Sequence, residues 1–167
     1  STPGRDDDTG WGRVDLAAAL ATRPPAKDRP EPNDDAEKAT QWPELLPGTA
    51  AGETVVDATV EAYSDAKDNY RIALANGDTL HLEVTGAADA DLDLVIWRPG
   101  APAFTSGPGY VRDWLAATGL CPGLTETLRY TTAESGIFSV EVQRAAGRGP
   151  YRLAVRREHQ AAVPPPT

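Results

Sequence analysis

A chain of 167 residues has room for one ordinary domain with extensions, and none for two catalytic domains. Its 25 acidic against 16 basic side chains set a formal net charge of −9, which argues against a binder of phosphate backbones and leaves nucleic acid out as an expected partner. No apolar run is long enough to span a membrane, no secretory signal opens the chain, and the single cysteine, Cys121, excludes an intrachain disulfide or a CxxC site.

Residues 1–22 begin Gly- and Asp-rich and end in Val14-Asp15-Leu16-Ala17-Ala18-Ala19-Leu20-Ala21. That run predicts a short helix with Val14, Leu16 and Leu20 as its apolar positions, too short to fold alone. The absence of methionine marks the chain as an expected processed piece of a longer product. Residues 23–50 carry Pro24, Pro25, Pro30, Pro32, Pro43 and Pro47 among charges, the composition of an extended linker running into a domain edge.

From Val55 onward the pattern has period two. Strands are predicted at Val55 to Ala62, Tyr70-Ile72-Leu74, Leu80-Leu82-Val84, Leu92 to Trp97, Glu126 to Thr131, Phe138-Val140-Val142 and Tyr151-Leu153-Val155. The fourth is nearly all apolar and therefore central. Asn76-Gly77 in a short gap predicts a tight hairpin, and Ser135-Gly136 another turn. These elements predict an all-β fold: an antiparallel, jelly-roll-like β-sandwich of about seven strands over residues 51–157, with a flexible tail at 158–167. The Gly- and Pro-rich connection 98–124 breaks the rhythm. There Tyr110 to Leu115 predicts a helical turn with Tyr110 and Trp114 on one face, either a lid over a sandwich edge or an aromatic binding surface.

Chemistry-bearing residues are sparse. His81 faces away from Leu80 and Leu82 toward solvent and His159 lies in the polar tail, so neither reads as a catalytic base. Ser106 matches no nucleophile motif, and the segments of a Ser/His/Asp triad are missing. Asp89, Asp91 and Asp93 form a D-x-D-x-D run, but Leu94 stands where a calcium loop requires Gly. The alternation places all three on one strand face, with Asp93 a partly buried acceptor. Cys121 is either a small buried apolar residue or an exposed thiol.

Two segments carry a resemblance. Pro3 to Asp15, with Gly10-Trp11-Gly12 leading into Leu16-Ala17-Ala18-Ala19-Leu20, resembles the C-terminal end of a subtilisin-like (subtilase) catalytic domain, where a final Ala-rich helix packs on the protease core. Glu31-Pro32-Asn33-Asp34-Asp35, Asp65-Ala66-Lys67-Asp68-Asn69-Tyr70, Asn76-Gly77-Asp78, Asp91-Leu92-Asp93 and Gly149-Pro150-Tyr151, in that order, resemble the bacterial pre-peptidase C-terminal domain, a β-sandwich appended to secreted proteases. The resemblance implies a Ca²⁺ ion held by Glu31, Asn33, Asp65 and Asp68. The alternative reading gives Asn33 and Asp34 to a turn cap and the aspartates to a solvated loop. It also implies an upstream subtilase domain as partner, docked through Trp11, Val14, Leu16 and Leu20.

The function expected from this reading is that of a noncatalytic C-terminal module of a secreted subtilisin-like protease, stabilising or positioning the catalytic domain. Two alternatives stay open. One is a module that binds a protein substrate, fibre or cell-surface polymer through exposed aromatics, with Tyr63, Tyr110, Trp114 and Tyr130 as candidates. The other is a removable module that controls protease maturation.

Overall fold

The computed structural model describes residues 32–34, 53–62, 65–102 and 112–159, together with Ala17 and Ala21, both helical. Most of the expected N-terminal helix and linker therefore lies outside the described residues. Eight strands follow in chain order: β1 (Glu53–Val60), β2 (Lys67–Leu74), β3 (Thr79–Gly86), β4 (Asp91–Trp97), β5 (Leu115–Gly119), β6 (Thr125–Thr131), β7 (Gly136–Ala146) and β8 (Gly149–Glu158). They form two four-stranded sheets, β1-β8-β3-β6 (sheet 1) and β2-β7-β4-β5 (sheet 2), and every paired neighbour is antiparallel. This order is that of a jelly roll, in which the chain alternates between the sheets at almost every connection.

The alternation seen in the sequence becomes the core. Tyr70, Ile72 and Leu74 of β2, Phe138, Val140 and Val142 of β7, and Leu92, Leu94 and Ile96 of β4 meet Leu80, Leu82 and Val84 of β3 and Tyr151, Leu153 and Val155 of β8. Because each such side chain contributes about 1.5–3 kcal/mol when removed from water, this layer supplies most of the driving force for folding. The inner ring of Phe138 also meets Tyr130 in a tilted contact, with centroids 6.0 Å apart.

Two expectations require correction. Asn76-Gly77 does form a turn, closed by Asp78 N–H to the Ala75 carbonyl at 2.9 Å, but it carries the chain from sheet 2 to sheet 1 instead of closing a hairpin. A hairpin of type I′ needs positive φ at both central residues. Here Gly77 has φ 87° and no described non-glycine residue is positive, which is the type II pattern that splays its flanking strands. The corner is braced from outside by Gly77 N–H to the Thr132 carbonyl and Asn76 N–H to Ser135 Oγ, both 2.8 Å. Secondly, the 98–124 connection contains a strand. Residues 112–114 make a helical turn, but Leu115 opens β5, which pairs with β4 from Leu94 to Trp97. Leu115-Ala116-Ala117-Thr118-Gly119 has neither alternation nor strong β-propensity, so only the pairing with β4 defines it.

The outer faces of the sheets differ. Sheet 1 presents Glu83, Thr85, Arg129 and Arg156 to solvent, as an antiparallel sheet packed on one side does. On the outer face of sheet 2, by contrast, Asn69, Val95, Trp97, Ser139 and Glu141 are all buried.

Candidate functional site

The β1–β2 corner collects buried polar groups. Glu61 N–H donates to the Asp65 carbonyl at 2.7 Å, which turns the chain into β2. Strand parity then puts Asp68 on the inner face with Tyr70 and Ile72, and Asn69 on the outer face. Asp68 is fully buried and accepts a hydrogen bond from the Tyr151 hydroxyl at 2.5 Å. The Tyr70 hydroxyl lies 2.6 Å from that of Tyr151. Since Tyr151 gives its only proton to Asp68, Tyr70 donates to Tyr151, and a directed chain from Tyr70 through Tyr151 to Asp68 links sheet 2 to sheet 1. Burial, followed by the neighbouring Tyr70 and the charge of Asp68, pushes the Tyr151 phenol well above its ordinary 10.0, so it remains a donor.

On the other side of β2, Asn69 grips an earlier segment. Its backbone N–H and its Nδ2 each donate to the carbonyl oxygen of Asn33 at 3.0 Å. Asn33 is wholly buried by this contact with a strand 36 residues further along. Asp65, three residues before Asp68 in the same corner, is buried as well. Of the expected calcium ligands, then, Asn33, Asp65 and Asp68 belong to the two sides of one corner, and Glu31 lies outside the described residues. Among the described residues no three His, Cys, Asp or Glu side chains gather closely enough to hold a metal ion. The donors present, one amide and two carboxylates, are hard oxygen ligands of the kind Ca²⁺ takes.

A second network occupies the outer face of sheet 2. Glu141 stands opposite Asn69 on one side and Val95 on the other. It is fully buried, accepts from Trp97 Nε1 at 3.0 Å, and has Lys67 Nζ 3.6 Å from its other oxygen. Beside it Val95 and Trp97 form a small apolar cluster with Ala101, Trp114 and Leu115. Trp114 is half-buried there, and its carbonyl accepts from Arg98 N–H at 2.8 Å. Tyr110, the other aromatic of the expected binding surface, lies outside the described residues, as do Tyr63 and the docking positions Trp11, Val14, Leu16 and Leu20. Tyr130 is half-buried against Phe138.

Other expectations resolve locally. His159, read from the sequence as part of a tail, has Nδ1 2.6 Å from the buried Asp78 and so ties the end of β8 to the β2–β3 corner. Burial alone would push the Asp78 carboxyl up, but the Ala75 N–H, His159 and Arg157 outweigh it and hold the group below its ordinary 3.8. His81 faces outward and pairs with Glu158 at 3.1 Å. Asp91 and Asp93 lie on β4, whereas Asp89 sits in the turn before it, so the three do not share a strand face. Asp91 accepts from Gly123 N–H at 3.0 Å. Asp93 is half-buried, and burial, then Asp91 and Glu126, raise its carboxyl above the ordinary 3.8. Cys121 is exposed.

Sequence reasoning missed the Tyr70–Tyr151–Asp68 chain and the Glu141–Trp97 pair. The first had a usable signal: Asp68 and Tyr70 share parity on β2, and a tyrosine directed into a core needs a partner for its hydroxyl. The second had none, because Glu141 sits where alternation calls for a solvated residue.

No protein-family model matches the chain, and no curated protein matches it. Among solved structures it is similar to the pre-peptidase C-terminal domain of a collagenase from Bacillus anthracis, at 17% identity and a TM-score of 0.48, over 62% of this chain and 89% of that one. It is also similar to PliG, a periplasmic inhibitor of g-type lysozyme, from Aeromonas hydrophila, at 15% identity and a TM-score of 0.48, over 64% of this chain and 86% of the other. PliG from Salmonella Typhimurium gives 12% identity and a TM-score of 0.40, over 64% and 91%. Likenesses this distant identify neither family nor function.

Proposed function

We propose that this chain is a noncatalytic accessory module, a jelly-roll sandwich appended to a secreted subtilisin-like protease, whose role is to hold the preceding segment, and through it the catalytic domain, in a fixed position. The observation that carries the reading is the clasp between Asn33 and Asn69: a residue from the Pro-rich stretch is buried completely on the sandwich and held by two hydrogen bonds. A linker that served only as a flexible spacer has no use for such a seat. In this reading Glu31, Asn33, Asp65 and Asp68 supply oxygens to Ca²⁺, which would add electrostatic attraction between the linker and the β1–β2 corner. The segment resembling the end of a subtilase domain would then dock upstream through Trp11, Val14, Leu16 and Leu20.

The test is limited proteolysis of the full chain in Ca²⁺ and in chelator, following cleavage within residues 23–50, alongside thermal unfolding. Ca²⁺ at about 100 times its dissociation constant stabilises the folded state by about 2.7 kcal/mol. Protection of the linker and a raised midpoint, both lost in an Asp65→Asn/Asp68→Asn variant, are the expected outcome. Linker cleavage as fast as that of an unstructured peptide under both conditions would overturn the positioning role.

A further inference from the structure

Asn76-Gly77 forms the β2–β3 corner and takes no part in the positioning role above. Of the chain's asparagines, Asn33 and Asn69 are buried and precede Asp34 and Tyr70, whereas Asn76 is exposed and precedes a glycine. Its carboxamide has no hydrogen-bond partner among the described residues. Asparagine followed by glycine is a reactive pair. With no side chain on the following residue to obstruct it, that residue's backbone nitrogen can reach and attack the asparagine carboxamide carbon.

The corner leaves the carboxamide open and occupies the nitrogen. Gly77 N–H donates to the Thr132 carbonyl and Asn76 N–H to Ser135 Oγ, both at 2.8 Å. Thr132 is itself fixed: it is buried, its N–H donates to the Asp78 carbonyl at 3.0 Å, and its hydroxyl donates to the Glu134 carbonyl at 2.7 Å. The Asp78 carboxylate accepts from Ala75 N–H at 2.9 Å and is gripped by His159 at 2.6 Å. A type II turn also holds ψ of its first central residue, here Asn76, at about +120°. The five-membered ring of the attack closes only when Cβ nearly eclipses the following nitrogen, and that ψ turns Cβ away from it. The corner must therefore open before Asn76 reacts.

We propose that Asn76 is a deamidation site gated by this corner, which reacts only when the hydrogen bond from Gly77 to Thr132 opens. The freed Gly77 nitrogen, its proton taken by water or hydroxide, bonds to Asn76 Cγ. The bond from Cγ to the amide nitrogen breaks, ammonia leaves, and a cyclic imide remains. Water then adds to either imide carbonyl and opens the ring to aspartate or to isoaspartate, so that overall a water is consumed and an ammonia released. In the isoaspartate the main chain runs through the side chain and gains a methylene. Gly77 N–H then no longer meets Thr132 while Asp78 stays anchored, and the passage between the sheets is loosened for good. The proposal goes beyond the positioning role above and does not depend on what lies upstream.

The test incubates the full chain under mildly alkaline conditions and follows aspartate and isoaspartate at position 76 by peptide mapping and mass spectrometry. A blocked peptide of residues 73–79 and the full chain unfolded in urea serve as open references, and NMR hydrogen exchange of the Gly77 amide is the second readout. The folded chain is expected to react at least about tenfold more slowly than either reference, the factor that one net hydrogen bond supplies. Ser135→Ala frees Asn76 N–H, and His159→Gln unties Asp78 from the end of β8. Each is expected to raise deamidation and Gly77 exchange by the same factor, about threefold or more, because both reactions follow one opening equilibrium. Thermal midpoints show that the variants remain folded, and Asn33 and Asn69 stay intact in all of them. The proposal is overturned if the folded chain reacts as fast as the peptide, or if the unfolded chain keeps Asn76 intact. It is equally overturned if both variants keep the parent's rates, or if Gly77 exchange rises in them without deamidation.

Discussion

Replacing Tyr151 with Phe deletes one oxygen from the interior and almost no volume, which makes it a clean test of the polar chain between the sheets. Tyr151 is 4% exposed, and its hydroxyl serves Asp68 at 2.5 Å and Tyr70 at 2.6 Å. A hydrogen bond to a charged acceptor contributes about 1.5–3 kcal/mol and a neutral one about 1 kcal/mol, so the variant is expected to lose about 2–4 kcal/mol. For a domain near 100 residues each kcal/mol moves the midpoint by about 4–8 °C, giving a fall of about 8–32 °C. Urea titration at pH 7, with the slope held common to both proteins, measures it. The pH dependence provides an independent check. The folded Tyr151 phenol lies above its unfolded value near 10.0, so its contribution is complete below that value and is lost as pH rises from there toward the folded value. The parent protein therefore destabilises above pH 10 more steeply than Tyr151→Phe does. Tyr130→Phe, half-buried against Phe138, serves as the control and stays within about 0.5 kcal/mol of the parent. A loss under 0.5 kcal/mol in Tyr151→Phe, or identical alkaline limbs, would refute the assignment of a structural hydrogen-bond chain.

Two further outcomes follow from the geometry. Gly147→Ala is expected to cost more than about 3 kcal/mol, because Gly147 has φ 67° and an added Cβ would overlap the Asp89 carbonyl, a backbone atom that cannot swing away; a thermal melt within 5 °C of the parent would contradict this. Asp93→Asn is expected to raise the midpoint at pH 7. The folded Asp93 carboxyl sits above its ordinary 3.8, so its contribution is present only below that value and ionisation at neutral pH opposes folding; the gain should vanish near pH 3, and a loss of stability at pH 7 would show that Asp93 has a partner worth more than its burial costs.

Much of the architecture was legible in the sequence, because the period of a strand is a local property. The alternating apolar residues Tyr70-Ile72-Leu74 of β2, Leu80-Leu82-Val84 of β3, Phe138-Val140-Val142 of β7 and Tyr151-Leu153-Val155 of β8 are all buried between the sheets. The acidic corner at Asp65 and Asp68 was visible too, as a pair of carboxylates just before an alternating run. What alternation does not encode is the destination of each strand. Asn76-Gly77 has the composition of a hairpin, yet the sign of φ at Asn76 turned it into a passage between sheets, a choice set by where β3 and β8 pair.

The sequence by itself determined the inward-facing set, the number of sheets it can fill and the absence of any covalent brace within the chain. Only the tertiary structure decided that a low-propensity segment in the long connection becomes β5, since edge pairing with β4 supplies hydrogen bonds its own side chains do not specify. It likewise decided that the outer face of sheet 2 would be covered. Glu141 and Asn69 occupy positions that period two assigns to solvent, and they are buried because Asn33 and Trp114, from remote parts of the chain, come to rest nearby on that face. A strand pattern records which side of the backbone a residue is on. Whether that side meets water depends on what else folds over it, and chain segments far away in sequence settle that through contacts no local pattern contains.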